Sequence, residues 1–246
     1  MSLAGRGVLV TRPRELAQGL AKRVADAGGR AVLFPAIEIE PLPQSGPVGR
    51  YDVVVFVSPS AVRHGARWVG AGHKTLAVGA GTAHEIKKSG QDVIFPASGA
   101  DSERLLELPE LAQLSGQRVL IVRGQGGRSL LGDTLRERGA RVEYAECYRR
   151  VRPRADAAPL LAAWAAGEIR AVTVNSGEAL QNLVALLGAE GRERLRDTPL
   201  FVPHRRVAQQ AESAGLRKVL IAGPGDDEMI ERLVAYFSDD RERSRS

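Results

Sequence analysis

Along the chain, short apolar runs alternate with longer segments whose apolar residues recur at helical spacing. "GVLVT" precedes "ELAQGLAKRVADAG", "VVVFV" precedes "SAVRHGARWVG", and "TLAVG" precedes "GTAHEIKKSG". The rhythm resumes with "RVLIV" before "SLLGDTLRERG", "AVTV" before "GEALQNLVALLG", "LFVP" before "RVAQQAESAG" and "KVLIAG" before "DDEMIERLVAYF". Apolar runs without polar alternation suit strands buried on both faces, and strand followed by helix in steady repetition predicts parallel sheets covered by helices.

Two stretches break this rhythm. "AVLFPAIEIEPLP" (31–43) and "RVEYAECYRRVRP" (141–153) each begin as a strand, continue extended with period-two alternation, and stop at proline. Both exceed a short core strand. They are therefore expected to leave one domain and return to it, pairing as a two-stranded connector at about 37–42 and 144–153. The expected organisation is a discontinuous domain of residues 1–37 plus 154–246 and an inserted domain of residues 42–143. Internal repetition supports two domains on one plan. "GRGVLVTR" (5–12) matches "GQRVLIVR" (116–123), placing Arg12 on Arg123, Leu20 on Leu131 and Gly28 on Gly139. Separately, "YDVVVFVSPSAV" matches "IRAVTVNSGEAL", placing Ser58 on Ser176.

Composition narrows the function classes. With 4% aromatic residues, Val, Leu, Ile and Ala must fill the interior. The net charge of +6 attracts polyanions without naming one. Its only dense cluster is the terminal "RERSRS", and no basic helix, zinc finger or aromatic-studded strand accompanies it, so nucleic-acid binding is not expected. A single cysteine, Cys147, excludes an intramolecular disulfide and argues for a reducing cytoplasm. His64, His73, His84 and His204 show no metal-ligand spacing, and no metal is expected. No window approaches the roughly 20 apolar residues of a membrane span, and "MSLAGRGVLVTRP" is too short in its apolar part for a signal peptide. The expectation is a soluble cytoplasmic protein without a membrane partner.

"AVGAGTAH" raises the possibility of a nucleotide loop. A dinucleotide fingerprint requires a third glycine, but Gly79-x-Gly81 is followed at that position by His84, and no acidic residue ends the next apolar run. "RGQGGRSLLG" fails the same test, and neither loop carries a G-K-[ST] phosphate motif. Glycine-rich turns entering helices still present unpaired N–H groups suited to carboxylates. Such turns recur at "SPSAV", "GAGTA", "GQGGRS", "NSGEA" and "VPHRRVA". Several around one cleft suit a polycarboxylate, while each alone is equally an ordinary tight turn or helix cap.

"FVSPSAV", "AVGAGTAHEI", "VLIVRGQGGRSLL", "YAECYRRV", "VNSGEALQNL" and "RVAQQAESAG", in this order, resemble the uroporphyrinogen-III synthase family over nearly the whole chain. The resemblance implies an α/β fold of two flavodoxin-like, Rossmann-like three-layer domains with parallel sheets, joined by a two-stranded β connector. It also implies a cofactor-free monomeric enzyme whose lobes close on hydroxymethylbilane, a linear tetrapyrrole bearing eight carboxylates. In this family the bilane loses its terminal hydroxyl as water, ring D attacks through its substituted carbon, and the spiro intermediate recloses with ring D inverted.

On this resemblance Tyr148 matches the family's cleft tyrosine, a phenol able to donate to the departing hydroxyl. The alternative is a connector tyrosine with its hydroxyl in water. Thr82 matches a family threonine with a hydrogen-bonding role toward substrate and is otherwise a helix N-cap, the more common fate of Thr beside Gly; Ser58 and Ser176 match family serines as substrate-binding candidates, with capping their default. Arg128 stands where family members carry a basic residue able to grip a carboxylate in two parallel bonds. Arg12 and Arg123, at repeated strand ends, are further substrate-binding candidates. Arg206 occupies a turn where some relatives have threonine. Cys147 lacks a paired histidine and is assigned no nucleophilic role. Two competing readings are a non-catalytic two-lobed binder of a polycarboxylate and a nucleotide-dependent oxidoreductase.

Overall fold

The structure, a computed structural model, describes residues 2–43 and 49–243, with side chains described through residue 238. The chain divides into two compact units, Met1–Glu38 with Val151–Ser246, and Ile39–Arg150. The first unit opens with β1 (Gly7–Val10), α1 (Arg14–Asp26) and β2 (Arg30–Leu33), after which the chain leaves through β3 (Glu38–Pro41). The second unit contains β4 (Val53–Phe56), α2 (Pro59–Gly65), β5 (Lys74–Ala77), α3 (Ala80–Lys87) and α4 (Ser102–Leu106). It continues with β6 (Arg118–Gly124), α5 (Leu130–Glu137) and β7 (Arg141–Val151). Back in the first unit follow α6 (Ala158–Ala165), β8 (Ile169–Thr173), α7 (Gly177–Asp197), β9 (Leu200–Val202), α8 (Arg205–Ser213), β10 (Val219–Ile221) and α9 (Asp226–Arg243).

Each unit has a five-stranded sheet, in the order β10-β9-β8-β1-β2 in the first and β3-β7-β6-β4-β5 in the second. The registered pairs among β1, β2, β8, β9 and β10, and among β4, β5, β6 and β7, are parallel. Residues of β1 and β4 are buried on both faces, as unbroken apolar runs require. The order explains why two different spacings were needed to align the halves. β1–α1–β2 takes the place of β6–α5–β7, and β8–α7–β9 the place of β4–α2–β5, but the blocks occur in opposite sequence order. One unit is a permutation of the other, which no single spacing can match.

The two extended stretches behave differently from each other. The first breaks after β2 and resumes as β3, while the second is the eleven-residue strand β7. β3 is the edge neighbour of β7, and Leu42 N donates to Cys147 O at 3.0 Å. The connector thus extends the second sheet and is not a separate ladder. Two helices escape the hydrophobic pattern. α4 is a single turn capped by Asp101, and α6 lies in "APLLAAWA", too uniformly apolar to display a face. α7 passes beyond the expected stop at Gly188, whose φ of 64° marks a kink between two helical pieces. Among the described residues no helix is long and apolar enough to cross a membrane.

Helices α2 and α3 are tied by Glu85, which receives Arg63 Nε at 2.9 Å and Lys88 Nζ at 2.8 Å. The Arg63 guanidinium holds the Glu85 carboxyl down at about 2 against an ordinary 4.5. A depressed carboxyl contributes stability that is present above its unfolded pKa and lost as pH falls through the folded one. We expect Glu85→Gln to cost about 1 kcal/mol at pH 7, allowing for solvent screening of Arg63. In urea unfolding that difference should shrink as pH falls from 4.5 toward 2; a pH-independent difference would remove the ion pair as its cause.

Candidate functional site

Parallel strands deliver their C-terminal ends, and the loops that follow, to one edge of the sheet. In the second unit that edge carries Ser58 after β4, Gly79 to Thr82 after β5, Gly124 to Arg128 after β6, and Tyr148 on β7. β6 and β7 pair regularly from Arg118↔Arg141 to Arg123↔Glu146, and then Gly124 pairs with Tyr148. Cys147 is therefore the extra residue of a bulge. In a regular strand Cys147 and Tyr148 would face opposite sides. Here both enter one buried cluster with Ala61, Val62 and Val122.

The Tyr148 ring lies over Gly124, where a Cβ would fall 2.6 Å from two ring carbons. The side chain is buried, the whole residue being 5% exposed, and its hydroxyl lies 3.0 Å from Ser58 Oγ. Ser58 caps α2 by accepting from Ala61 N at 3.0 Å, so one oxygen serves both the helix and the phenol. The ring of His64 on α2 lies 6.1 Å from that of Tyr148, centroid to centroid. The alternative of a tyrosine hydroxyl in water is not what this geometry shows. Cys147 sits beneath, donating to Arg123 O at 3.4 Å and packed where Gly65 leaves room. Burial pushes its thiol up to about 11, so it stays protonated at neutral pH and is no nucleophile.

In the loop after β5, Gly79 is the N-cap of α3 and makes no side-chain cap bond. A Cβ there would lie 2.7 Å from Ala100 Cβ and 2.9 Å from Gly99 O. The glycine admits a neighbouring stretch of chain and not a phosphate. Thr82 is the third residue of α3, 3% exposed, with its N–H on Gly79 O; it is not the cap.

After β6, Arg128 stands exposed and grips Glu103 in a fork, NH2 to Oε1 at 2.6 Å and NH1 to Oε2 at 3.3 Å. Arg123 is instead drawn into the fold. It donates to Glu146 Oε1 from Nε at 3.2 Å and from NH2 at 2.9 Å, and its guanidinium lies 4.0 Å from the centre of the Tyr144 ring.

In the first unit, Ser176 caps α7 by accepting from Ala179 N at 3.1 Å, the counterpart of Ser58. Arg12 donates to Asn175 Oδ1 at 2.9 Å and pairs with Asp226, joining the turns before α1, α7 and α9. Arg206, exposed in the first turn of α8, borders a groove of about 600 Å³ with Arg192, Gln181 and Gln210. The structure thus joins Tyr148 to Ser58, and sets Arg12 beside the turn of Ser176. Gly124, Glu146, Asn175 and Asp226 were not singled out from the sequence. Only Gly124 carried a signal, as the first glycine of "RGQGGR", and its use depends on the β6–β7 register.

A sequence model of the family described as uroporphyrinogen-III synthase HemD matches residues 18–231. The uroporphyrinogen-III synthase of Escherichia coli is 36% identical over 241 residues, covering 92% of this chain and 98% of the relative. That of Salmonella typhimurium is 35% identical, with the same 92% and 98% covered. Among solved structures, the synthetase of Helicobacter pylori superposes with a TM-score of 0.62 at 14% identity, covering 94% of this chain and 99% of that one. A mutant synthase of Thermus thermophilus gives 0.56 at 19% identity, with 96% and 100% covered. At these identities the structural likeness speaks to the α/β fold alone.

Proposed function

The chain belongs to the uroporphyrinogen-III synthase family, and on that premise we propose that its Tyr148–Ser58 pair supplies the proton that opens the family's reaction. The chain is a lyase of tetrapyrrole biosynthesis, closing hydroxymethylbilane to uroporphyrinogen III with loss of water and inversion of ring D. The observation that carries the assignment to Tyr148 is the placing of its hydroxyl 3.0 Å from Ser58 Oγ, on a largely buried side chain at the C-terminal edge of the second sheet.

Proton flow follows from that geometry. With Ala61 N–H on Ser58 Oγ, the serine proton can turn to Tyr148 Oη, leaving the phenolic proton free to point at substrate. As the carbon–oxygen bond of the bilane breaks, the phenol gives up that proton, the hydroxyl departs as water, and the cationic pyrrole end is ready for attack by ring D. Ser58, itself polarised by Ala61 N–H, donates to the phenolate. The proton lost when the last ring regains aromaticity returns to Tyr148, so the donor is restored in each turnover. In the second unit Arg128 serves as a carboxylate contact and Thr82 as a hydrogen-bonding one. Arg128 already holds a carboxylate in the required fork. Because solvent screens an exposed pair of this kind, a substrate carboxylate can replace Glu103 at little cost.

The test is to incubate the purified chain with freshly made hydroxymethylbilane and separate the isomers. Isomer III should exceed isomer I; unchanged spontaneous closure to isomer I would sink the reading. Ser58→Ala and Ser176→Ala form a matched pair, since both lose an equivalent cap worth about 1 kcal/mol. Only Ser58→Ala should also lower kcat, by about tenfold. Equal kcat values for the two variants would take Ser58 out of the proton path.

A further inference from the structure

We infer that Arg123 is a positioning residue that sets the β6–α5 loop for carboxylate capture, and that it does not itself bind substrate. The inference rests on the substrate-binding role proposed above for that loop. Three groups of this chain occupy the guanidinium. Glu146 Oε1 takes Nε and NH2, and the carbonyls of Gly127 and Arg128 both accept from NH1 at 3.3 Å. Its face lies on Tyr144, whose hydroxyl reaches the site of Gly132 on α5, where an added Cβ would lie within 3 Å of it. The side chain retains 15% of its exposure, too little for a flexible ligand arm.

The two carbonyl bonds fix more than the carbonyls. In a trans peptide the N–H points opposite to the C=O. Drawing Gly127 O and Arg128 O toward Arg123 therefore turns the N–H groups of Arg128 and Ser129 the other way, away from Arg123. Ser129 makes no side-chain cap bond at α5, unlike Ser58 and Ser176 at their helices. The same stretch carries the Arg128 side chain. Arg123 thus orients both the backbone donors and the charged side chain of the loop while contributing neither. Arg12, its counterpart in the internal repeat, is also engaged by groups of the fold, though by the side chains of Asn175 and Asp226 and not by carbonyls of its own loop.

Two variants discriminate between a clasp and a ligand. Lysine keeps the charge but loses the fork that reaches Glu146 and two carbonyls together. We expect Arg123→Lys to raise KM for hydroxymethylbilane about tenfold, with kcat changed less than about twofold. Near wild-type KM in Arg123→Lys would overturn the proposal. Glu146→Gln gives the opposite sign for the two roles. Loosening a clasp raises KM, by about threefold or more. Freeing a substrate-binding arginine from a competing carboxylate would lower it, and a lowered or unchanged KM overturns the proposal. Both variants should also speed amide exchange at residues 126–129 more than elsewhere in the chain, and unchanged exchange there counts against the clasp. If the wild-type chain formed no isomer III, the functional reading would fail, while amide exchange would still decide whether Arg123 holds the loop.

Discussion

Tyr148→Phe is expected to lower kcat for isomer III by about 10²–10⁴-fold, the usual range for removing a general acid. The substitution deletes one oxygen and leaves the ring where it is. Phenylalanine retains the packing over Gly124 and against Cys147 and Val122, and Ser58 still caps α2 through Ala61 N–H. The stability cost should therefore stay at about 1 kcal/mol, the value of one hydrogen bond. KM should change little, because the phenol acts on the breaking bond and the carboxylates are held elsewhere. Spontaneous closure continues in the variant, so the product mixture shifts toward isomer I as the catalysed path slows. Steady-state kinetics with isomer separation checks each point. A kcat within threefold of wild type would place the proton donor on another residue.

Different parts of this picture were legible in the sequence to different degrees. The βα rhythm gave the layers and the parallel sheets, because burial on both faces leaves unbroken apolar runs such as "VVVF" and "RVLIV". Ser58 and Ser176 could be seen as equivalent, since a cap and the strand before it are local features. The permuted block order was not visible, because it is a property of strand neighbours and not of spacing. Nor was the pairing of Tyr148 with Ser58. It depends on a single extra residue, Cys147, between Glu146 and Tyr148 in the register with β6. Without the bulge, Tyr148 would face away from Cys147 and from the cluster against α2. Charged residues were the least legible. Arg12, Arg123 and Arg128 look alike in sequence, yet the first two are engaged by groups of the fold and the third stands on the surface with Glu103. Which acceptor an arginine meets is decided by the loop packed beside it.

Gly124→Ala should be nearly as damaging to catalysis as loss of the phenol, by a steric route. The added Cβ would lie 2.6 Å from Cε2 and Cζ of Tyr148, inside any permitted contact, and 3.0 Å from its hydroxyl. The ring cannot sink away from it, since Cys147, Phe56 and Val122 already fill the cluster below. Relief must come from tilting the ring or opening the bulge, and either moves the hydroxyl off Ser58. Overpacking of this kind costs about 1–3 kcal/mol of stability. A positional error near 1 Å is enough to cost about 10²-fold in rate. The mechanism has a distinctive signature in the double variant. If the alanine acts by displacing the phenol, adding Gly124→Ala to Tyr148→Phe should lower kcat by less than about twofold further, since the group it displaces is already gone. Were the two losses instead to multiply, Gly124 would be contacting substrate directly, and the close approach of the Tyr148 ring would not be the reason this position is glycine.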